Sequence, residues 1–161
     1  MNQAVTQDEP SIAGLAHVQQ RQCVRQWLGF LSALSAEFAE VLPETQLQEL
    51  MARIGTRFAL ANALPSSDTA AGLQDAMNQL WRGLDWGYVQ LEQSADGLEI
   101  THHYSPLAAA FGQGHMEWAT GFLQGAYQQW FEMAGAAGLE VRITQSGDAW
   151  GSAGFLRSPA A

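Results

Sequence analysis

Within LDWGYVQLEQSADGLEITHHY, residues 84–104, the apolar pattern changes from the period of a helix to that of a strand. Trp86 to Gln93 and Leu98 to Tyr104 alternate around Ala95-Asp96-Gly97, and Asp-Gly is a preferred pair for a tight hairpin turn. A chain that makes this switch half-way along must pack helices on a sheet.

The segments before the switch read as three helices. From about Gln20 to Leu42, the residues Val24, Trp27, Leu28, Leu31, Leu34, Phe38, Val41 and Leu42 recur at spacings of three and four, and Pro43 stops the run. A second helix is expected from Pro43 or Glu44 to about Leu64, with Leu47, Leu50, Met51, Ile54 and Phe58 inward and Pro65 beyond its end. PSSDT then supplies capping residues for a third, from Ser67–Thr69 to about Leu84, whose stripe is Leu73, Met77, Leu80, Trp81 and Leu84.

After the hairpin, PLAAAFGQGHME reads as a loop, and a helix is expected from about Glu117 to Ala136 with an exit at Gly135 and Gly138. LEVRITQ and WGSAGFLR around Ser146-Gly147-Asp148 form a second hairpin. The predicted fold class is α+β: an N-terminal three-helix layer, a β-hairpin, a long helix and a C-terminal β-hairpin, giving one small antiparallel sheet packed on helices. Residues 1–15 mix polar residues with Pro10 and Gly14 and read as a flexible arm, leaving 16–161 as a single α+β domain.

Charge and cysteine usage remove several function classes. Seven arginines, no lysine and sixteen acidic residues give a net charge of −9, the wrong sign for phosphate backbones or anionic lipid. Cys23 is the single cysteine, so an intrachain disulfide or a thiolate metal cluster is ruled out. The N-terminus lacks the basic and apolar regions of a secretory leader and no window is apolar enough to span a bilayer, so the expected location is the cytoplasm; a processed periplasmic protein is the alternative.

The hairpin carries the ring side chains with the strongest claim to chemistry. A two-residue turn at Asp96-Gly97 sets Ala95 opposite Leu98, Gln93 opposite Ile100, Leu91 opposite His102 and Val89 opposite Tyr104, all on one mostly apolar face. The other face holds Trp86, Tyr88, Gln90 and Glu92 against Glu99, Thr101 and His103. Aromatic plates among amide, hydroxyl and carboxylate groups suit sugars, and Trp86, Tyr88 and His103 are the candidate sugar or subunit contacts. The competing reading packs Trp86 and Tyr88 under a helix or in a subunit contact.

His102 and His103, adjacent in a strand, point to opposite faces and cannot share a metal, while His17 and His115 have no carboxylate at helical ligand spacing. His102 is expected to be a hydrogen-bonded core or interface histidine. No G-x-S-x-G elbow, H-E-x-x-H or Cys/His signature occurs, Glu92 and Glu99 read as solubilising, and FGQGH is half of a dinucleotide fingerprint in the wrong context. No catalytic residue, cofactor or metal is expected.

On a wheel the helix from Glu117 is apolar over an arc of roughly 220°, twice the stripe one core requires. Trp118, Phe122, Tyr127, Trp130 and Phe131 are therefore candidate oligomer-interface residues, the alternative being a central helix covered on both sides by its own chain. Gly121 and Gly125, on the remaining face, permit close backbone approach.

LDWGYVQL and GFLQGAYQQWF carry a family resemblance. Leu84, Trp86, Gly87, Tyr88, Val89 and Leu91 in the strand, Gly125, Tyr127 and Trp130 in the helix, and Val141 and Ile143 in the following strand resemble the cellulose synthase D-subunit family, accessory proteins of bacterial cellulose operons. The resemblance covers about residues 70–157 well and the N-terminal helices by pattern alone. It implies a non-catalytic homo-oligomer, dimer-based and octameric, that associates with other synthase subunits and has passages through which glucan chains are guided. In the family the glucan contacts belong to the N-terminal segment. The first seventeen or so residues here depart from that pattern, so no glucan-binding residue is carried over from it. For location the resemblance leaves two readings, the periplasm or the cytoplasmic side, and the missing secretory signal favours the cytoplasm, at the inner face of the inner membrane through partners.

The last third also resembles the vinyl-reductase and vesicle-tethering type of α+β domain, in which a G-x-L-x-G helix precedes a terminal hairpin. DAWGSAGFLR lacks the cysteine usual in that hairpin. This second likeness implies a small-molecule-binding sensory domain with a pocket between helices and sheet.

Overall fold

A computed structural model describes residues 25–159. The expected arm at 1–15, the start of the first helix near Gln20, His17 and Cys23 lie outside the described residues. The fold is α+β, with two hairpins joined in one four-stranded antiparallel sheet of order β1-β2-β4-β3.

Helices α1 (Arg25–Val41) and α2 (Glu44–Ala61) are separated at Pro43. Helix α2 stops three residues before the expected Leu64, because the Asn62 side chain and backbone amide both donate to the Phe58 carbonyl. Helix α3 (Ala70–Gly83) starts after Thr69, whose Oγ1 accepts from the Gly72 amide at 3.1 Å.

The exit of α3 sets the geometry of the following strand. Trp86 donates its amide to the Trp81 carbonyl and Asp85 donates to that of Arg82, with Asp85 in the left-handed region at φ 57°. This is the Schellman closure, with its customary apolar contact: Trp86 stacks on Trp81 at 5.5 Å. Trp86 is thus the last residue of a helix cap rather than the first of a strand, and it does not share a face with Tyr88 as the alternation implied.

Strand β1 is Tyr88–Gln93 and β2 is Leu98–His103. The pairing is Tyr88 with His103, Val89 with His102, Leu91 with Ile100 and Gln93 with Leu98. The register differs by two from the expected one, because Ser94 to Gly97 form a longer loop in which Ser94 donates to the Gly97 carbonyl. A slip of two leaves every side chain on its face. Tyr104 is the exception: at φ 62° it has left the strand and stands 48% exposed instead of facing the core.

The expected loop after β2 contains a short helix, α4 (Leu107–Phe111), and the expected long helix is divided into α5 (Met116–Ala119) and α6 (Gly121–Met133). Helix α6 closes like α3, with Ala136 donating to the Phe131 carbonyl and Gly135 in the left-handed region. Strands β3 (Leu139–Gln145) and β4 (Ala153–Pro159) complete the sheet.

Helix α6 lies between the sheet and α2. A Cβ on Gly125 would overlap the Ala52 carbonyl, one on Gly121 the Gln48 carbonyl, and one on Gly55 the Phe122 carbonyl. These three glycines let the two backbones approach closely. Two helices also seal the sheet edges with side-chain amides one turn apart. Asn78 exchanges two hydrogen bonds with Val89 of β1 and Gln74 accepts from Leu91. On β3, Gln128 accepts from the Val141 amide and Gln124 donates to the Val141 carbonyl. Edge groups that would otherwise invite another strand are thereby occupied.

Candidate functional site

The two faces of the sheet have opposite character. Val89, Ile100, His102, Phe155 and Val141 point inward and are buried, while Tyr88, Gln90, Thr101 and His103 face outward. At one end of the outer face Tyr88 stacks on His103 at 4.8 Å with 30° between the rings, and Tyr104 lies 6.0 Å from Tyr88. His103 Nε2 donates to the Gln90 side-chain oxygen at 2.9 Å, leaving Nδ1 to accept from Ser152 Oγ at 3.5 Å. The Ser105 amide donates to the Gly151 carbonyl, which brings the loop bearing exposed Trp150 beside Tyr104.

Further along the same face is a shallow depression of about 310 Å³ lined by Glu99, Thr101, Thr144 and Gln145. It exists because Gly154, paired with Thr101 on one side and Gln145 on the other, has no side chain to fill it. Rings followed by a trough of hydroxyl, amide and carboxylate groups form a surface suited to a polyhydroxylated ligand.

Trp86 belongs elsewhere. Besides Trp81 it meets Phe122 at 5.0 Å and Phe58 at 6.5 Å, packed among helices, so of the three candidates on the hairpin only Tyr88 and His103 are brought together. Tyr104 and Trp150 are the additional aromatic residues. Neither was legible from alternation, because Tyr104 owes its exposure to a left-handed backbone and Trp150 lies in a loop.

His102 is fully buried, as expected for a hydrogen-bonded core histidine. Its Nε2–H donates to the Trp86 carbonyl at 2.7 Å, which makes Nδ1 the acceptor of a short bond from the Tyr127 hydroxyl. Burial lowers its pKa to about 4, and burial likewise raises that of Tyr127 well above its ordinary value. Both groups are sealed from any substrate.

The five residues put forward for an oligomer interface are all buried within this chain. Trp118 packs on Phe111 at 5.6 Å, Phe122 on Phe58 at 5.3 Å and Tyr127 on Phe155 at 5.6 Å. Trp130 donates to the Asn62 carbonyl at 3.0 Å, and Phe131 lies under the Arg157 guanidinium at 4.5 Å. The doubly apolar helix is the central helix, its two sides covered by α2 and the sheet, and these side chains are not presented to a neighbour. Trp81, Trp130, Tyr127 and Phe155 fill the space between helices and sheet where a ligand pocket was expected.

An apolar cleft of about 540 Å³ lies instead between α1 and α2, lined by Trp27, Leu31 and Phe38 of α1, by Ile54 and Phe58 of α2, and by Trp86. Among the described residues, no group of three or more His, Cys, Asp or Glu is placed to hold a metal, and no helix is long and apolar enough to cross a membrane.

A family model for the D-subunit of cellulose synthase matches residues 13–155. The chain belongs to the cellulose synthase D-subunit family. Two proteins of Komagataeibacter xylinus, each named cellulose synthase operon protein D, are 29% and 28% identical to it over 122 residues, 74% of this chain and 78% of theirs. A protein of the same name from Komagataeibacter sucrofermentans is 28% identical over the same length.

Proposed function

We infer that this chain is a non-catalytic, oligomeric accessory component of a bacterial cellulose synthase, organising the complex and guiding and aligning nascent glucan chains. The observation that carries the reading is the family match across nearly the whole described chain. The occlusion of His102 and Tyr127, the two buried groups whose pKa values burial displaces, supports a non-catalytic role, since a general acid or base must reach substrate. Its partners are further copies of itself and other synthase subunits, at the inner face of the inner membrane.

The glucan contact is assigned to the outer sheet face, with Tyr88 and His103 at its aromatic end, joined by Tyr104. Sugar C–H faces pack on the rings while Gln90, Thr101 and Glu99 meet hydroxyl groups. Titration of the purified protein with cello-oligosaccharides, followed by NMR, is expected to perturb these residues, to be weakened by Tyr88→Ala and Tyr104→Ala, and to yield no hydrolysis products. Binding left intact by both substitutions places the glucan elsewhere, and turnover by the pure protein overturns the non-catalytic assignment.

A further inference from the structure

Gly154 lies inside β4 with the ordinary extended backbone of a strand, so no turn or left-handed φ calls for a glycine there. A glycine inside a strand gives up side-chain packing, and it marks a bulge or a place where a ligand approaches the backbone closely. Strand β3 has its bulge opposite this residue, where the register passes from Ile143 with Phe155 to Gln145 with Gly154. Successive side chains of a regular strand point to opposite faces, but the bulge lets Thr144 and Gln145 line one and the same trough. A Cβ on Gly154 would stand 3.1 Å from Thr144 Oγ1 and 3.3 Å from Gln145 Cβ, raising the floor of that 310 Å³ space.

The trough is closed at one end and open at the other. Leu156, the next outward residue of β4, stands between Glu99 and Arg142 and shuts it. Arg142 is turned away to donate to Ser158 Oγ at 2.8 Å, so the charged groups lining the shut end are the carboxylates of Glu99 and Asp96. In the other direction the floor runs to Ser152, whose hydroxyl meets His103 at 3.5 Å, and on toward exposed Tyr104 and Trp150. Four positions of strand lie between Leu156 and that rim, a length of about 13 Å.

We propose that this trough seats the end of a glucan chain. The terminal ring lies on Gly154 against Leu156, hydroxyl groups at its outer edge donate to Glu99 and Asp96, and the following units run out over Ser152 to the rings of Tyr104 and Trp150. A ring inside a chain carries a neighbour on both sides, and a neighbour beyond the seated ring collides with Leu156. A terminal ring instead has its linkage hydroxyl free beside a second hydroxyl, an outward-facing pair that two carboxylate groups accept in charge-assisted hydrogen bonds. Either terminus of the chain offers such a pair.

This inference rests on the sheet-face reading above and adds which part of the glucan that face takes. Binding of cellotetraose to the full chain is measured by titration calorimetry and amide NMR, beside cellotetraose methylated at the terminal linkage hydroxyl of one end, of the other, and of both. The doubly capped form is expected to bind at least about tenfold more weakly than the free one, as for the loss of a hydrogen bond to a charged group. One singly capped form should share that loss, which identifies the terminus that enters. Leu156→Ala, at a half-exposed position, opens the shut end and should shrink the penalty of the caps to a few-fold, a gain of binding that damage to the fold does not produce. Capped oligosaccharide that stays as weak on Leu156→Ala overturns the seat against Leu156. Equal binding of free and doubly capped cellotetraose to the unaltered chain, with shifts at Tyr88 and Tyr104, overturns the terminus assignment and leaves the sheet-face reading standing. Absence of shifts at Tyr88, Tyr104, Thr101 and Thr144 with every form overturns both.

Discussion

Helices α1 and α6 are similar in overall hydrophobicity and far more apolar than α2 or α3, yet α6 buries eight of its residues and α1 buries a serine. The difference is not the amount of apolar surface but the shape that receives it. Gly121 and Gly125 on α6 and Gly55 on α2 remove the side chains that would hold two backbones apart. Helix α1 has Gly29 at a position where nothing lies within 4 Å, so this glycine brings no neighbour closer. Apolar content selects a helix for burial, and complementary small residues decide where in this chain that burial happens.

The contrast is sharpest at the ring side chains. Trp130, 1% exposed, is expected to cost about 3–5 kcal/mol when replaced by alanine, and Phe30→Ala to leave unfolding of the isolated chain nearly unchanged. Equal losses in chemical denaturation would show that α1 is as integral to the core as α6.

A second difference is the pH sensitivity that His102, hydrogen-bonded to Tyr127, brings to the α6 side. His102 is neutral when folded, with a pKa near 4 against an ordinary 6.5 in the unfolded chain, so the unfolded state binds the extra proton in that interval. Stability is therefore complete above pH 6.5 and falls as pH drops toward 4, by about 3 kcal/mol from this group. His102→Gln, whose amide can accept from Tyr127 and donate to the Trp86 carbonyl, should flatten the pH profile by that amount. An unchanged profile would mean that other groups dominate acid unfolding.

The helix contact itself is probed by Gly125→Ala, where the added methyl must displace the Ala52 backbone; a loss of about 1–3 kcal/mol is expected from overpacking. The same change at Gly29, into open space on α1, should instead raise helicity and stability by about 0.5–1 kcal/mol. Thermal melts of the two variants moving in opposite directions would locate the packed and unpacked helices directly.

Much of this arrangement was legible in the chain. Alternation around Asp96-Gly97 located the first hairpin and assigned Val89, Leu91, Ile100 and His102 to the core face, and a register error of two did not disturb that assignment. Tyr88 and His103 were correctly set on the opposite face. Trp86 was misplaced because its position follows from Asp85 entering the left-handed region to close α3, a conformation that L residues other than Asn and Asp rarely adopt and that no apolar period reports. Tyr104 was misplaced for the same kind of reason. The short α4 went unread because five residues are too few to show a helical period.

By itself the sequence determined the order of the longer helices and the two hairpins, the α+β class and the two faces of the first hairpin, because these follow from local periodicity and turn chemistry. It also identified a helix too apolar for one contact. Only the tertiary structure decided that α2 and the sheet cover that helix, that Trp86 caps α3, and that α1 is left with its apolar flank open. Those outcomes depend on which surfaces meet, and surfaces distant in sequence meet according to backbone clearance and shape, which composition and spacing do not encode.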